Sequence, residues 1–353
     1  MKTVYVGMSG GVDSSVTAAL LKEQGYTVVG VYMKNWSKDL PGMPCPWKED
    51  FQDAKRVAVQ LGIDFKMYDF ETEYKQQVVD YMIDEYKAGR TPNPDIMCNQ
   101  EVKFKLFLNT ALNDGADMIA TGHYARIKDG QLLAAANKDK DQTYFLYRVT
   151  QSALKKSLMP IGEFTTKAEV RQIAKKMGLA TAEKKDSQGI CFVGKVGIKD
   201  FLSQYVMSEP GNILDENGKI LGQHEGSIFY TLGQRHGLDV GGGLPYYVVG
   251  KDMEKNELYV TTNLDDDRLW RNELKLADMH WINGVPDLTQ KYQVRTRYRA
   301  EIVPSTLAVA AKDSKNSANT LHVALKHAVR AATPGQSAVI YDGERVLGGG
   351  IVV

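Results

Sequence analysis

Two groups of residues in this chain could do covalent chemistry, and they lie far apart in the sequence. The first is the run Ser9-Gly10-Gly11-Val12-Asp13-Ser14-Ser15, preceded by Gly7 and Met8. Glycines without Cβ atoms let backbone N–H groups approach an anion closely, and the open N–H groups of a following helix hold its charge. Ser9, Ser14 and Ser15 add hydroxyl donors, whereas Asp13 would repel a bare phosphate. That carboxylate makes sense if Mg²⁺ comes with the ligand. The loop thus suits a metal-chelated polyphosphate, although the glycine pair alone also fits a tight structural turn. No lysine follows the glycines, so this is not the nucleotide loop that ends in Gly-Lys-Ser/Thr.

The second group is a pair of cysteines. Cys98 follows Asn93-Pro94-Asp95 at what reads as a helix start, and Cys191 stands in a glycine-containing loop beside Lys184 and Lys185. A helix dipole or nearby lysines favour thiolate. For each, a small buried hydrophobe is the alternative. Cys45, between Pro44 and Pro46, has no comparable setting. Lowering a thiol pKa from about 8.5 to about 6.5 raises the rate only about threefold, because nucleophilicity falls with basicity. Effective molarity against an activated carbon must supply far more. The polyphosphate loop and the thiols therefore belong to one reaction.

The elements that must position these residues follow from the apolar pattern. Val4 to Val6 reads as a buried strand, and Val16, Ala19 and Leu20 mark one face of the helix after the loop. Tyr26 to Met33, Ile63 to Phe70 and Asp117 to Gly122 are further strands. Helices are expected over Trp47 to Leu61, Glu71 to Lys87 and Thr166 to Met177. Such alternation predicts a doubly wound parallel sheet, with Met33, Gly122 and the first loop converging at strand ends on one ligand. Gln131 to Asn137 reads as a hairpin strand. After about Tyr205 short strands and glycines take over: a hairpin around Asn217-Gly218, a flexible Gly241-Gly242-Gly243 loop, and from Leu274 a C-terminal β-barrel with a polar loop at Lys312 to Asn319. The expected units are a catalytic α/β domain over 1–204, a small β-rich central domain over 205–272 and the barrel over 273–353.

The 353 residues carry a net charge of +1, so global charge offers no argument for nucleic-acid binding and any RNA must meet local basic patches. Three cysteines without a Cys-x-x-Cys pair suit neither a disulfide framework nor a structural zinc site, and point to a reducing, cytoplasmic setting. No apolar run approaches the roughly 20 residues of a membrane span. With Met1-Lys2-Thr3-Val4 running into the first strand, no signal peptide is expected.

The complete loop resembles the pyrophosphate loop of the ATP pyrophosphatases, which activate an oxygen by adenylating it. Further strings carry a narrower resemblance, in order: Ala88 to Asp95 with Cys98, Ala120 to Tyr124, Lys140 to Leu146, Lys185 to Phe192, Thr231 to Arg235, Thr296 to Arg299 and Thr333 to Ser337. Together these resemble the bacterial tRNA-specific 2-thiouridylases over essentially the whole chain. Gln188, where some relatives carry Thr, is a small departure that touches nothing catalytic.

The resemblance implies that ATP, with Mg²⁺, adenylates O2 of the wobble uridine in tRNA(Lys), tRNA(Glu) and tRNA(Gln). Persulfide sulfur from a cysteine desulfurase, directly or through relay proteins, then replaces that oxygen. It assigns the persulfide to Cys191 and the second thiol to Cys98. Gly7, Met8, Ser9, Gly10, Gly11, Val12, Asp13, Ser14, Met33 and Gly122 would contact ATP. Asn93, Pro94 and Asp95 would hold the flipped base, with Asp95 able to accept the uridine N3–H. His123, Asp141, Gln142, Thr143, Arg297, Tyr298, Arg299 and Gln336 would touch tRNA. By residue type alone, Asn-Pro-Asp also fits a helix cap and His123 a structural histidine. Arg295, Arg297 and Arg299 fall on one face of a continuous strand by period two, with Tyr298 opposite; that row reads either as a solvated face or as phosphate contacts. A small-molecule ligase of the same loop class would need neither cysteine, and a tRNA-binding module without catalysis would release no pyrophosphate.

Overall fold

The computed structural model describes residues 1–39, 45–185, 197–238, 240, 241, 243, 245–309 and 320–353. Cys191 with its loop (186–192), Gly242 and the polar stretch 312–319 lie outside the described residues. The apolar runs form strands in the order read from sequence: β1 (Thr3–Gly7), β2 (Thr27–Lys34), β3 (Asp64–Asp69) and β4 (Met118–Ala120). A hairpin of β5 (Arg126–Lys128) and β6 (Gln131–Leu133) follows, then β7 (Ser157–Leu158). Strands β3-β2-β1-β4-β7 make one parallel sheet, so the order reverses between β1 and β4. In sheets of this kind ligands bind at that switch point, beyond the carboxyl ends of the strands.

Helices α1 (Val12–Glu23) and α2 (Trp47–Leu61) cover the sheet. On α2, Ala54, Val57 and Ala58 are buried while the polar positions face out, and Gly62 ends it with φ +57°. The helices over 71–87 and 94–113 each contain a π stretch, Lys75–Asp80 and Cys98–Phe107, and the two stretches pack together through buried residues such as Val78, Val102 and Phe107. Helix Lys167–Lys176 starts at Thr166, whose hydroxyl accepts from the Glu169 N–H while Glu169 accepts from the Thr166 N–H.

The second half is all β, as the turn residues predict. A central sheet joins β8 (Gly211–Leu214), β9 (Ile220–His224), β10 (Tyr247–Asp252) and β11 (Glu257–Thr261) in the order β10-β11-β8-β9. The last six strands are β12 (Trp270–Trp281), β13 (Lys291–Arg295), β14 (Val303–Val309), β15 (Leu321–Arg330), β16 (Ser337–Asp342) and β17 (Arg345–Val352). They close into a barrel because β12 pairs with both β15 and β17. Alternate residues fill its interior, among them Leu274, Leu276, Val294, Val323 and Ile340.

Two features cross the boundaries read from sequence. The β5–β6 hairpin of the first unit pairs with β17, with Val346 opposite Leu132, so the barrel wall continues into the α/β unit. Behind it Asp141 and Arg295 form an ion pair at 3.1 Å, the carboxylate 3% and the guanidinium 12% exposed. Asp141 also accepts from the Thr143 hydroxyl and the Ala135 N–H. Removing one partner of such a buried pair leaves an uncompensated charge, so Asp141→Ala is expected to destabilise the protein by about 3–5 kcal/mol. Denaturant midpoints of the variant and of the Arg295→Met, Asp141→Leu double variant check this; the double variant should recover most of the loss.

Candidate functional site

The first loop is built as its residue types suggest. Gly11 caps α1 with no side-chain hydrogen bond, leaving the first helical N–H groups open to an anion. Gly10 takes φ +74°, and a Cβ there would overlap the Asp50 carbonyl at the start of α2. Gly122, at the end of β4, lies so close to α1 that a Cβ would stand 2.8 Å from the Ser14 nitrogen. The Met33 side chain reaches Gly7, where an added Cβ would meet its Cε at 3.0 Å. Gly7, Met33, Gly122 and the glycine loop are therefore brought together at the sheet's switch point.

Several residues of that loop face inward instead. The Ser14 and Ser15 hydroxyls donate to the Gly11 carbonyl at 3.1 and 2.8 Å, and Thr181 donates to Ser15. These hydroxyls brace the loop's own backbone, so of the three serines only Ser9 is exposed. Met8 and Val12 are buried, leaving their backbones as the groups a ligand could meet. Asp13 has partners that no spacing rule reveals. Both of its carboxylate oxygens lie 2.7 Å from Lys167 Nζ, and Oδ1 also accepts from the Tyr124 hydroxyl at 2.9 Å. Among the described residues no group of three His, Cys, Asp or Glu side chains could hold a metal ion. With Asp13 already neutralised, these residues do not fit a resident Mg²⁺ ion.

A cavity lies between the α/β unit and the barrel. It measures about 290 Å³ and is lined by Pro92, Asn93, Tyr144, Phe145, Arg297, Tyr298 and Gln336. The Thr91 N–H donates to the Pro334 carbonyl at 2.9 Å, and the Thr91 and Thr231 hydroxyls lie 3.2 Å apart. Gly335, at φ +90°, lets the barrel approach the 90–91 backbone, since a Cβ there would stand 2.8 Å from the Thr91 nitrogen. Phe145 packs on Tyr298 with ring centres 4.5 Å apart.

The arginine row does not form as the alternation predicts. Strand β13 stops at Arg295 and the chain turns, with Arg299 at φ +61° and the Ala300 N–H donating to the Arg297 carbonyl. Arg295 is paired with Asp141. Arg297 donates to the Ala331 carbonyl at 2.6 Å and to Gln336 Oε1 at 3.1 Å. Burial lowers its pKa, the Tyr144 hydroxyl opposing. Arg299 lies with its guanidinium 5.2 Å from the Tyr298 ring centre. Because the turn breaks the period of two, Arg297 and Tyr298 line the same cleft instead of opposite faces.

Asn93 caps the helix over 94–113, its side chain accepting from the Asp95 N–H at 3.2 Å, with Pro94 in the first position. Burial raises the Asp95 carboxyl pKa, and Lys103 opposes that shift. Because the helix begins at Pro94, Cys98 lies one turn inside it and not at its N-terminus, and the thiol is 1% exposed. Lys184, read as a cation beside Cys191, is engaged by Asp50 and Asp53, each at 2.7 Å. The Asp141 and Thr143 side chains are buried, and Gln142 accepts from the Tyr124 N–H, so this segment faces the protein and sets Tyr144 and Phe145 in the cleft. The residues missing from the sequence reading are Lys167, Tyr124, Pro92, Tyr144 and Phe145. Pro92, Tyr124, Tyr144 and Phe145 fall inside the motif strings; nothing in the spacing marks Lys167.

His123 is buried, its Nδ1 2.8 Å from the Thr121 hydroxyl and its ring packed near Phe104. Burial, reinforced by Lys103, holds its pKa well below the usual histidine value. The unfolded chain then binds a proton below about pH 6.5 that the native state does not, so stability falls as pH drops through that range. Denaturant titrations between pH 7.5 and 5 should show this slope reduced in His123→Asn.

Residues 2–195 match the family model described as the tRNA methyl transferase HUP domain, 199–262 its PRC-barrel domain, and 271–352 the aminomethyltransferase beta-barrel domain. The chain is 48% identical over 355 residues to the tRNA-specific 2-thiouridylase MnmA 2 of Geobacillus kaustophilus, covering 99% of this chain and 94% of that one. To tRNA-specific 2-thiouridylase MnmA of Bacillus subtilis it is 46% identical over 358 residues, with the same two coverages. To that of Methylobacillus flagellatus it is 46% identical over 361 residues, covering 99% and 98%. Likeness of this depth, running through all three structural units, means that this chain belongs to the tRNA-specific 2-thiouridylase family.

Proposed function

We propose that this protein 2-thiolates the wobble uridine of tRNA(Lys), tRNA(Glu) and tRNA(Gln), using ATP. The observation that carries this reading is the helix over 94–113. Its cap Asn93 lines the inter-unit cleft, its Phe107 ring lies 3.5 Å from where a Cβ on Gly7 would stand beside the glycine loop, and Cys98 lies between. One rigid element thus joins a base-sized cavity, a thiol and a polyphosphate loop. The family model's description names methyl transfer, but an anion-binding loop together with two cysteines suits adenylation and sulfur transfer better.

In this mechanism uridine O2 attacks the α-phosphorus of ATP and pyrophosphate leaves, held by the N–H groups at the start of α1. The carbonyl oxygen, a poor leaving group, becomes AMP. The outer sulfur of a Cys191 persulfide attacks C2 and AMP departs. Cys98 thiolate then attacks the Cys191 sulfur, closing a Cys98–Cys191 disulfide and leaving sulfur on the base. A thiol reductant of the cytoplasm reopens the disulfide, and a cysteine desulfurase or relay protein reloads Cys191. Mg²⁺ enters on the ATP phosphates. Residues 1–204 carry the chemistry, while 205–272 and 273–353 hold the tRNA, with His123, Asp141, Gln142 and Thr143 shaping the cleft from behind.

Incubation with tRNA, ATP, Mg²⁺, a thiol reductant and a cysteine desulfurase with its cysteine substrate as the source of persulfide sulfur, followed by mass spectrometry of the wobble nucleoside, tests the proposal; an unmodified uridine with no tRNA-dependent pyrophosphate release would overturn it. Arg297→Ala should weaken tRNA binding about 10-fold by loosening the cleft while changing the salt slope by well under one phosphate contact, since its guanidinium is held by protein acceptors. Arg299→Ala should flatten that slope by about one contact. Filter binding across a salt series separates the two.

A further inference from the structure

Arg330 ends β15 opposite Trp270, half-buried at the junction of the barrel with the central unit. Its guanidinium lies 4.5 Å from the ring centre of Tyr247, the buried first residue of β10. The chain then turns at Ala331 (φ +52°), whose carbonyl accepts from Arg297 and whose methyl packs against Gly233 of the central unit. The Gly233 N–H donates to the Val248 carbonyl at 2.7 Å, so one turn holds both Ala331 and the strand of Tyr247. The Nε and Nη2 nitrogens of Arg330 are buried and have no hydrogen-bond partner. Side by side, they form the fork of a guanidinium that grips two oxygens of one anion. Elsewhere in this chain that fork is filled: Arg90 holds both oxygens of Glu85, and Arg268 both of Asp266, through Nε and Nη2. The charge that acts across this junction is instead a like one. Burial lowers the Arg297 pKa, and Arg330 adds to that shift against the Tyr144 hydroxyl. Both guanidiniums are thus met by carbonyls, an amide and a ring face and, among the described residues, by no carboxylate.

We infer that Arg330 binds one backbone phosphate of the tRNA, gripping two of its oxygens through Nε and Nη2 while Tyr247 supports the guanidinium face. The inference rests on the reading of tRNA as the substrate. A phosphodiester presents two free oxygens that share one negative charge, which fills an empty fork and offsets the repulsion between Arg330 and Arg297. Arg297 and Gln336 line the base-sized cleft, so a phosphate at Arg330 belongs to the same stretch of tRNA as the flipped nucleotide. The fork is shielded in the free protein. Turning it outward on the Tyr247 face breaks no hydrogen bond of Nε or Nη2, because they make none.

Filter binding of tRNA to the full chain across a potassium chloride series tests this. Arg330→Met is expected to weaken binding about 10-fold and to flatten the slope of log K against log salt by about 0.7–0.9. Arg330→Lys should keep the slope and recover part of the affinity, since it retains the charge without the fork. Arg56→Met, exposed on α2, should bind as the parent does. Anticodon stem-loops carrying one neutral methylphosphonate at successive positions locate the contact. At one position the substitution should cost the parent what Arg330→Met costs, and cost that variant nothing further. A parent-like slope in Arg330→Met, or a scan with no coupled position, would overturn the inference. A parent protein without affinity for tRNA would instead sink the tRNA reading. Methionine keeps apolar contact with Tyr247 and removes an uncompensated charge, so Arg330→Met should melt no lower than the parent. If it does melt lower, Arg330→Gln carries the same comparison.

Discussion

Cys98→Ala and Cys191→Ala, each made alone, are expected to lower 2-thiouridine formation by at least ~10³-fold while tRNA-dependent pyrophosphate release continues. The separation follows from the division of labour. Adenylation needs the glycine loop and a docked base, whereas sulfur transfer needs one thiol to carry sulfur and another to release it. Cys98 is 1% exposed within a helix whose neighbours Ile96 and Val102 are also buried. Replacing its sulfur by hydrogen leaves a small cavity costing about 1 kcal/mol, too little to unfold the chain. Loss of thiolation with unchanged melting and unchanged pyrophosphate release therefore isolates the chemical role. Full thiolation by both variants would overturn the roles given to the two cysteines.

Gly10→Ala is expected to reduce ATP-dependent pyrophosphate release by about 10²-fold or more, with tRNA affinity nearly intact. Two effects add. The residue sits at φ +74°, a region that a Cβ disfavours by about 1–2 kcal/mol, and the new methyl overlaps the Asp50 carbonyl. The first turn of α2 would have to withdraw, carrying Asp50 and Asp53 away from Lys184. The cleft at Asn93, Tyr298 and Gln336 is held by other contacts, so tRNA binding should persist. Measuring pyrophosphate release and filter binding on one preparation distinguishes this from global misfolding, which would lower both.

Much of the fold was legible because it depends on local rules. Continuous apolar runs gave the central parallel strands, and helix α2 has the bounds its pattern predicted. The turn signal Asn217-Gly218 lies between β8 and β9, with Gly218 at φ +74°. The same local rules failed where the chain departs from them. A period of two placed Arg297 and Tyr298 on opposite faces, but a turn after Arg295 puts both in one cleft. Cys98 was read as standing at a helix start, yet the helix begins four residues earlier because Asn93 caps it and Pro94 tolerates the first position.

By itself the sequence determined the chemistry on offer. Glycines at Gly10 and Gly11 are needed wherever backbone must meet an anion, and the order of motifs from Ser9 to Ser337 identified the family, because residue type and short spacing are properties of the chain alone. Tertiary structure decided which charges are spent and which groups meet. Lys167 lies 154 positions from Asp13, and Arg295 the same distance from Asp141, yet each pair closes in space. Pairing and burial depend on contacts between distant segments, so no local pattern in the chain encodes them.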